Sequence, residues 1–225
     1  MDIPLLLLVL LFSVIVHECA HGLAADHFGD PTARQMGRLT LNPLSHIDPI
    51  GTVAVPLIMA LMPGGMVFGW AKPVPVNAAN LRDPARQYPF IAAAGPASNL
   101  ALATISAILL GLLVAVNGLP PATTGTGMGG DINRFLFLLF HYGIRFNVLL
   151  ALFNLIPLPP LDGSWIVRRF LSGEALRLYE SIRPFGFFLL VLLLMSGLGS
   201  YLGLAVGAVS DLFLQISNGI VALAG

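Results

Sequence analysis

Long apolar runs alternate with short polar ones along this chain. The first apolar run starts at Pro4 and carries through Val16 into His17-Glu18-Cys19-Ala20-His21. An apolar stretch of about 18 residues or more reads as a membrane-crossing helix, because about 20 residues span the hydrocarbon core. On that basis residues 4–27 form a first span, 88–116 a second and 146–167 a third, the last flanked by Arg145 and by Arg168-Arg169. A final apolar region, 184–225, is interrupted by Gly197 and Gly199. It holds either one span and a further C-terminal helix or a hairpin of two. Residues 28–50 are polar and broken by Pro31, Pro43 and Pro49, with 37–41 read as a short strand. Residues 51–62 are apolar but too few to cross, and Pro56 lies inside them, which predicts a re-entrant or packed segment. In Lys72-Pro73-Val74-Pro75-Val76 each proline pushes its predecessor toward an extended conformation. Residues 118–131 predict a glycine-rich flexible loop, and the Phe/Leu-rich 132–144 either lies at the interface or begins the next helix. The expected fold is an all-α polytopic membrane protein with about four transmembrane helices, a re-entrant segment, and short β-strands in the cytoplasmic-side loops. It is read as one membrane-embedded domain over 1–225, with a core at about 4–170 and C-terminal helices at about 184–225.

Composition agrees. The chain has 225 residues, 56% hydrophobic and 10% charged, with a mean hydropathy of +0.87. Soluble domains carry about 25% charged residues, so a soluble globular domain and a disordered chain are both excluded. Eleven basic residues balance eleven acidic ones. A nucleic-acid partner, which needs a basic surface, is therefore not expected. Cys19 is the single cysteine, which rules out an intrachain disulfide. Asp2 without a nearby basic residue, and the absence of a small-residue cleavage site, argue that 4–27 is a span and not a signal peptide. The length leaves no room for an attached soluble domain of ordinary size. If 51–62 does not cross, Arg34, Arg38, Lys72, Arg82, Arg86, Arg168, Arg169, Arg177 and Arg183 share one side, and only Arg134 and Arg145 fall opposite. The positive-inside rule makes the shared side cytoplasmic and the N-terminus external.

The chemistry is concentrated in His17-Glu18-x-x-His21. On a helix, positions i and i+4 lie on one face, so two imidazoles can grip one metal ion, while Glu18 sits beside it and can accept a proton from water. Ionisable groups inside a span are costly and functional by default. Zinc needs a third protein ligand and an open position. Asp162, near the inner end of the third span, comes to a depth similar to His21 if both spans run outside to inside. Pro157, Pro159 and Pro160 break that helix and free backbone that is tolerated only beside protein or a wet cavity. Asn99 and Asn154 are uncharged donors within spans, candidates for substrate or transition-state contact, or else for bridging helices. His27 and His46 read as interfacial or loop histidines, His46 being the nearer to the site, and His141 as an outer-interface residue. Cys19 faces away from the ligand pair. Gly199-x-x-x-Gly203-x-x-x-Gly207 permits close helix contact, within the chain or in a homo-oligomer.

These motifs resemble the site-2 protease family of intramembrane zinc metalloproteases. The resemblance rests on His17-Glu18-Cys19-Ala20-His21 and on Asn154 to Gly163 ending in Leu161-Asp162-Gly163. Between them, Ala94-Gly95-Pro96-Ala97-Ser98-Asn99-Leu100 is similar to the family's glycine-proline-x-x-asparagine segment. Gly37 to Pro43 and Phe68 to Val76 resemble a compact prokaryotic branch without PDZ or CBS domains. The resemblance implies one zinc ion held by His17, His21 and Asp162, with Glu18 as catalytic base, in a multi-pass protein of a prokaryotic cell membrane. The expected activity is hydrolysis of peptide bonds in or near transmembrane segments, with the active site nearer the cytoplasmic side. The expected partners are the bilayer and a transmembrane substrate. Two other readings are a catalytically silent scaffold of the same fold and a metal transporter. The transporter reading predicts ligands along a path through both leaflets.

Overall fold

The computed structural model describes residues 3–54, 71–119 and 128–224. Among these described residues five helices are long and apolar enough to cross a membrane: Ile3–His27, Pro84–Asn117, Ile132–Asn154, Gly173–Gly197 and Gly199–Ala224. The chain is thus a multi-pass helical membrane protein. We label the helices α1 (Ile3–His27), α2 (Thr32–Gln35), α3 (Pro84–Asn117), α4 (Met128–Asn154), α5 (Gly163–Arg168), α6 (Gly173–Ile182), α7 (Gly186–Leu193) and α8 (Gly199–Ala224).

The central helix is α3, which packs against α1, α4 and α8. Asp83 caps its start by accepting from the Arg86 N–H, Pro84 occupies the first turn where no N–H is needed, and Gly118 closes it at a φ of 72°. Small residues on one face, Ala103 and Ala107, let α3 and α4 meet closely around Leu110, Ile144 and Val148. Gly111 admits the α8 backbone, since a Cβ there would lie 2.8 Å from the Ser217 carbonyl oxygen. Contacts fix the directions. His21 meets Ile91 while His17 and Ser13 meet Asn99, so α1 runs antiparallel to α3. Asn147 meets Asn99 and Gly143 meets Ser106, so α4 is antiparallel to α3 as well. Helices α1 and α4 are therefore parallel, and their C-terminal ends lie at the same end of the bundle.

The third apolar segment differs from its expected 146–167 bounds. Its helix already includes 132–144 and stops at Asn154. The prolines at 157, 159 and 160 cannot continue it. Residues 155–162 instead form a chain of tight turns, including Leu161 N–H to Leu158 O (2.9 Å) and a cis peptide at Pro159-Pro160. Asp162 thus stands outside the helix, at the start of α5. That short helix is anchored by Trp165, which stacks on Tyr88 of α3 at 4.4 Å and carries the Arg183 guanidinium 4.2 Å above its ring. Glu180 pairs with both Arg168 and Arg183, each at 2.9 Å.

The expected strands do not form among the described residues. Prolines 73 and 75 supply no N–H, and around 37–41 the carbonyls go to side chains: Thr40 O accepts from the Cys19 thiol (3.3 Å) and from the His46 ring (2.9 Å). One backbone bond, Lys72 N–H to His46 O at 2.9 Å, ties the 72–76 segment to the turn that follows 37–41. The segment expected to be re-entrant or packed is preceded and begun by a π-helical turn at Pro49–Ala54, and its continuation lies outside the described residues, as does most of the glycine loop. The C-terminal apolar region folds as two elements that part at Gly197, whose φ of 87° breaks the helix. Gly203 and Gly207 meet nothing within 4 Å, so this stripe does not serve internal packing among the described residues.

A polar knot ties the loops below α1. The fully buried Asp30 carboxylate accepts from the Thr32 hydroxyl (2.5 Å) and N–H (3.1 Å), the Asn80 amide (2.8 Å) and the Asn77 N–H (2.6 Å). Burial acts to raise this carboxyl, but the donated hydrogen bonds outweigh it and hold it below its ordinary range. A lowered folded-state value means that the stabilisation is complete above the unfolded carboxyl's range and is lost as pH falls through the lowered value. The wild type is expected to melt at progressively lower temperature below about pH 4. Asp30→Asn should be less stable at neutral pH by about 1–3 kcal/mol and should lack that acid component. Melting curves that coincide for both proteins from pH 7 to 3 would mean the knot contributes nothing.

Candidate metal centre

His17 and His21 lie one turn apart on α1, and both rings point toward α3. The side of each ring that faces α3 or the carbonyl beyond it is already engaged. The His17 Nδ1–H donates to Asn99 Oδ1 at 2.5 Å, and the His21 Nδ1–H donates to Ile91 O at 2.7 Å. Asn99 is completely buried and can accept because its own amide is committed elsewhere, donating to Asn147 Oδ1 (2.8 Å) and to Ser13 O (3.3 Å). With Nδ1 protonated, each neutral ring presents a bare lone pair at Nε2.

Those two lone pairs converge with a carboxylate. The Nε2 atoms are 3.0 Å apart, and Asp162 Oδ2 lies 3.1 Å from the first and 3.3 Å from the second. Three acceptors this close repel one another unless a cation or shared protons lie between them. Asp162 Oδ2 is buried with no hydrogen-bond donor directed at it. Two ligands each about 2.0–2.1 Å from one tetrahedral zinc ion sit about 3.3–3.4 Å apart. The observed triangle is close to one face of that tetrahedron, and two imidazoles with one carboxylate are a zinc donor set. The residues present fit a zinc ion. Among the described residues this is the one group of three or more such side chains close enough to hold a metal.

Gly95 makes the convergence sterically feasible. A Cβ at that position would stand 2.5 Å from His21 Cε1 and Nε2 and 2.6 Å from His17 Cε1. Gly163 does the same for the aspartate, since a Cβ there would strike the carbonyls of Leu155 and Ile156 in the preceding turn.

The site opens on a cavity of about 680 Å³ lined by His17, Glu18, His21, Val74, Asn154, Asp162 and apolar residues such as Phe153, Phe187 and Leu190. Glu18 reaches its wall and accepts the Val74 N–H at Oε2 (2.8 Å). Val74 belongs to a strap, residues 72–76, that is neither helix nor strand and lies against α1. The buried Arg38 guanidinium holds the strap from behind through Lys72 O (2.8 Å) and Pro73 O (3.4 Å). Gly22 leaves space beneath it, as a Cβ there would lie 2.9 Å from Val74 Cγ1.

The chain's sequence is decisive at this point. The profile described as "Peptidase family M50" matches residues 5–135 and 128–196. The chain belongs to peptidase family M50. This M50 chain is 39% identical over 198 residues to a Bacillus subtilis protein named "Putative zinc metalloprotease YwhC", covering 88% of this chain and 83% of the relative. It is 33% identical over 194 residues to a Mycolicibacterium smegmatis protein named "Putative zinc metalloprotease Rip2", covering 83% of this chain and 64% of the relative. A Mycobacterium tuberculosis protein of the same name is 30% identical over 200 residues, covering 85% and 67%. No solved structure matches the chain.

Within the M50 chain the sequence-predicted residues separate into two groups. His17, Glu18, His21, Asp162 and Asn154 come together around the cavity. Asn99, a candidate for substrate or transition-state contact or else for bridging helices, lies behind His17 and bridges helices, with both ends of its amide in use. Asn154 lines the cavity while its amide donates back to Leu150 O at 3.0 Å. His46 is buried in the loop below the site and His27 is exposed, and neither joins the cluster. Cys19 points away, to Thr40. Sequence reasoning missed Gly95, Asn147 and the Val74 N–H. Gly95 lies four residues before Asn99 and so shares its helix face, a signal that was present. Asn147 stood out as a lone amide among Phe146, Val148 and Leu149, whereas the Val74 contact had no signal.

Proposed function

We propose that this chain is a zinc endopeptidase that cleaves peptide bonds in or beside transmembrane segments of membrane-protein substrates. One observation carries the reading: two imidazole lone pairs and an orphaned carboxylate oxygen meet within 3.3 Å of one another beside a glutamate, in a cavity among membrane helices. His17, His21 and Asp162 would hold one zinc ion. When bound, zinc supplies Lewis acidity and lowers the pKa of water to about 7. Glu18 takes the proton of the attacking water and delivers it to the departing amide nitrogen. Asn154, on the cavity wall, is placed to contact the substrate backbone, whereas Asn99 orients His17. The basic residues collect where α1 and α4 end and α3 begins, which supports a cytoplasmic position for that end and an external N-terminus. Complete ligands beside an intact glutamate weigh against a silent scaffold. The single metal-binding group among the described residues, near one end of the bundle, weighs against a transport path.

The first test is metal content together with cleavage of a transmembrane reporter. Purified wild type is expected to hold one zinc per chain and to cut. Asp162→Ala should lose both, zinc affinity falling by about 100-fold or more. Zinc retained at full strength by Asp162→Ala would overturn the reading.

A transmembrane helix hides its peptide bonds in its own hydrogen bonds, so cleavage requires a locally extended stretch. The strap at 72–76 offers one edge for strand addition. Prolines 73 and 75 leave N–H groups only at alternate positions, Lys72, Val74 and Val76; the first is held by His46 O and the second by Glu18 Oε2, so a substrate strand would take over the Val74 donor from Glu18. Substrates with Gly or Pro near the scissile bond are expected to be cut at least about fivefold faster than a rigid Leu/Ala segment, given helix propensity differences of about 1–3 kcal/mol. Equal rates for both would argue against strand addition.

A further inference from the structure

The bonds behind His17 form a chain whose polarity is dictated from its far end. Gly143 O is a backbone carbonyl and can only accept. The Asn147 amide that meets it at 2.8 Å must therefore be Nδ2, which turns Asn147 Oδ1 toward Asn99. That oxygen in turn requires the Asn99 group 2.8 Å away to be Nδ2. Asn99 Oδ1 then faces His17 and requires a proton on Nδ1, leaving Nε2 bare. Ser13 O, at 3.3 Å from Asn99 Nδ2, gives a longer second bond in the same sense. Asn147 and Asn99 are 3% and 0% exposed, so water cannot easily substitute for a missing partner. Three helices, α4, α3 and α1, are thereby wired into the tautomer of one imidazole.

We infer that Asn147 is a positioning residue for the metal centre: through Asn99 it fixes the Nδ1–H tautomer and the orientation of His17, and so sets zinc affinity from two residues away. The inference rests on the zinc-site reading above. Removing the relay leaves the Asn99 amide held only by its longer bond to Ser13 O, so it can rotate, present an N–H to His17 and drive the ring toward the tautomer with its proton on Nε2. Partners of a zinc-bound histidine of this kind typically alter metal affinity by about 10–100-fold.

The test uses full-length protein in detergent and compares wild type with Asn147→Leu, which keeps the branched outline but no polar atom, and Asn147→Asp, which keeps the acceptor for Asn99. Three quantities are read: zinc affinity by competition with a chelator, the ring nitrogen spectrum of the metal-free, ¹⁵N-histidine-labelled protein, and melting temperature. The expected result is a 10–100-fold loss of zinc affinity in Asn147→Leu with a shift of the His17 tautomer, and recovery of most of the affinity in Asn147→Asp. Wild-type affinity and spectrum in Asn147→Leu would overturn the relay while leaving the zinc site standing. Equal losses in both variants that track melting temperature would reduce Asn147 to a packing residue, which also overturns it. If Asn147→Leu does not fold, Asn147→Asp decides by whether it keeps the His17 spectrum and zinc. A wild type that binds no zinc would remove the site reading itself, and the relay with it.

Discussion

Glu18→Gln is expected to keep its zinc and lose cleavage by about 10²–10⁴-fold, the range that general acid–base catalysis supplies. Glutamine has the same shape, and its carbonyl oxygen can still accept the Val74 N–H now received by Glu18 Oε2. The strap should therefore stay in place, and the His17–His21–Asp162 triangle, which does not include Glu18, should be undisturbed. Only the ability to take and return a proton disappears. Glu18→Asp keeps that ability on a shorter arm and should fall between the two. Side-by-side zinc content and turnover of a single-span reporter decide the matter. Wild-type turnover by Glu18→Gln would exclude Glu18 as the base. Loss of zinc in that variant would instead make Glu18 part of the metal's own ligand set, and the assignment of roles would change.

The core of this arrangement was legible in the sequence because helix periodicity is short-range. Residues 17 and 21 share a face of any α-helix, and the apolar run around them leaves no alternative to a span. Asp162 was reachable by a longer inference, from the direction of spans and the charge of loops, and it survives a mistake in the bounds of the third helix. Placing that helix at 146–167 put Asp162 inside it, whereas the structure ends the helix at Asn154 and folds the prolines into turns. Both versions deliver the carboxylate to the same end of the bundle, since what matters is the parity of crossings.

What periodicity could not supply was contact between elements far apart in sequence. Val74 and Glu18 are separated by 56 residues, and Asn99 and Asn147 by 48. Nothing local in Lys72-Pro73-Val74-Pro75-Val76 says that one of its N–H groups ends on a carboxylate of α1. Pairing into a strand was not available there, because a ladder needs donors that prolines lack. Asn99 was noticed for the right reason, a polar group in a span, and its partner was not foreseeable without knowing which face of α4 turns inward. Gly95, which lets both imidazoles approach α3, carries no sign of that role in its immediate sequence beyond sharing a helix face with Asn99.

That glycine yields the second large effect. Gly95→Ala is expected to lower zinc affinity at least about 100-fold and to abolish measurable cleavage, although alanine is ordinarily the better helix residue by about 1 kcal/mol. The added methyl would lie 2.5–2.6 Å from atoms of both imidazoles, well inside van der Waals contact. Two relaxations are open to the protein. If the rings swing aside, His17 leaves Asn99 or His21 leaves Ile91, and the lone pairs no longer converge with Asp162 Oδ2. If α3 backs away from α1, the same hydrogen bonds stretch, and overpacking of this kind costs about 1–3 kcal/mol of stability. Either route damages the triangle. Ala97, two residues on and exposed, provides the control: Ala97→Gly should cost about 1 kcal/mol at most and leave zinc binding intact. Zinc titration of both variants separates a local steric effect from general weakening of α3. A Gly95→Ala protein that binds zinc and cuts like wild type would mean that the imidazoles do not occupy the positions described, and the geometry from which the enzyme reading starts would be lost.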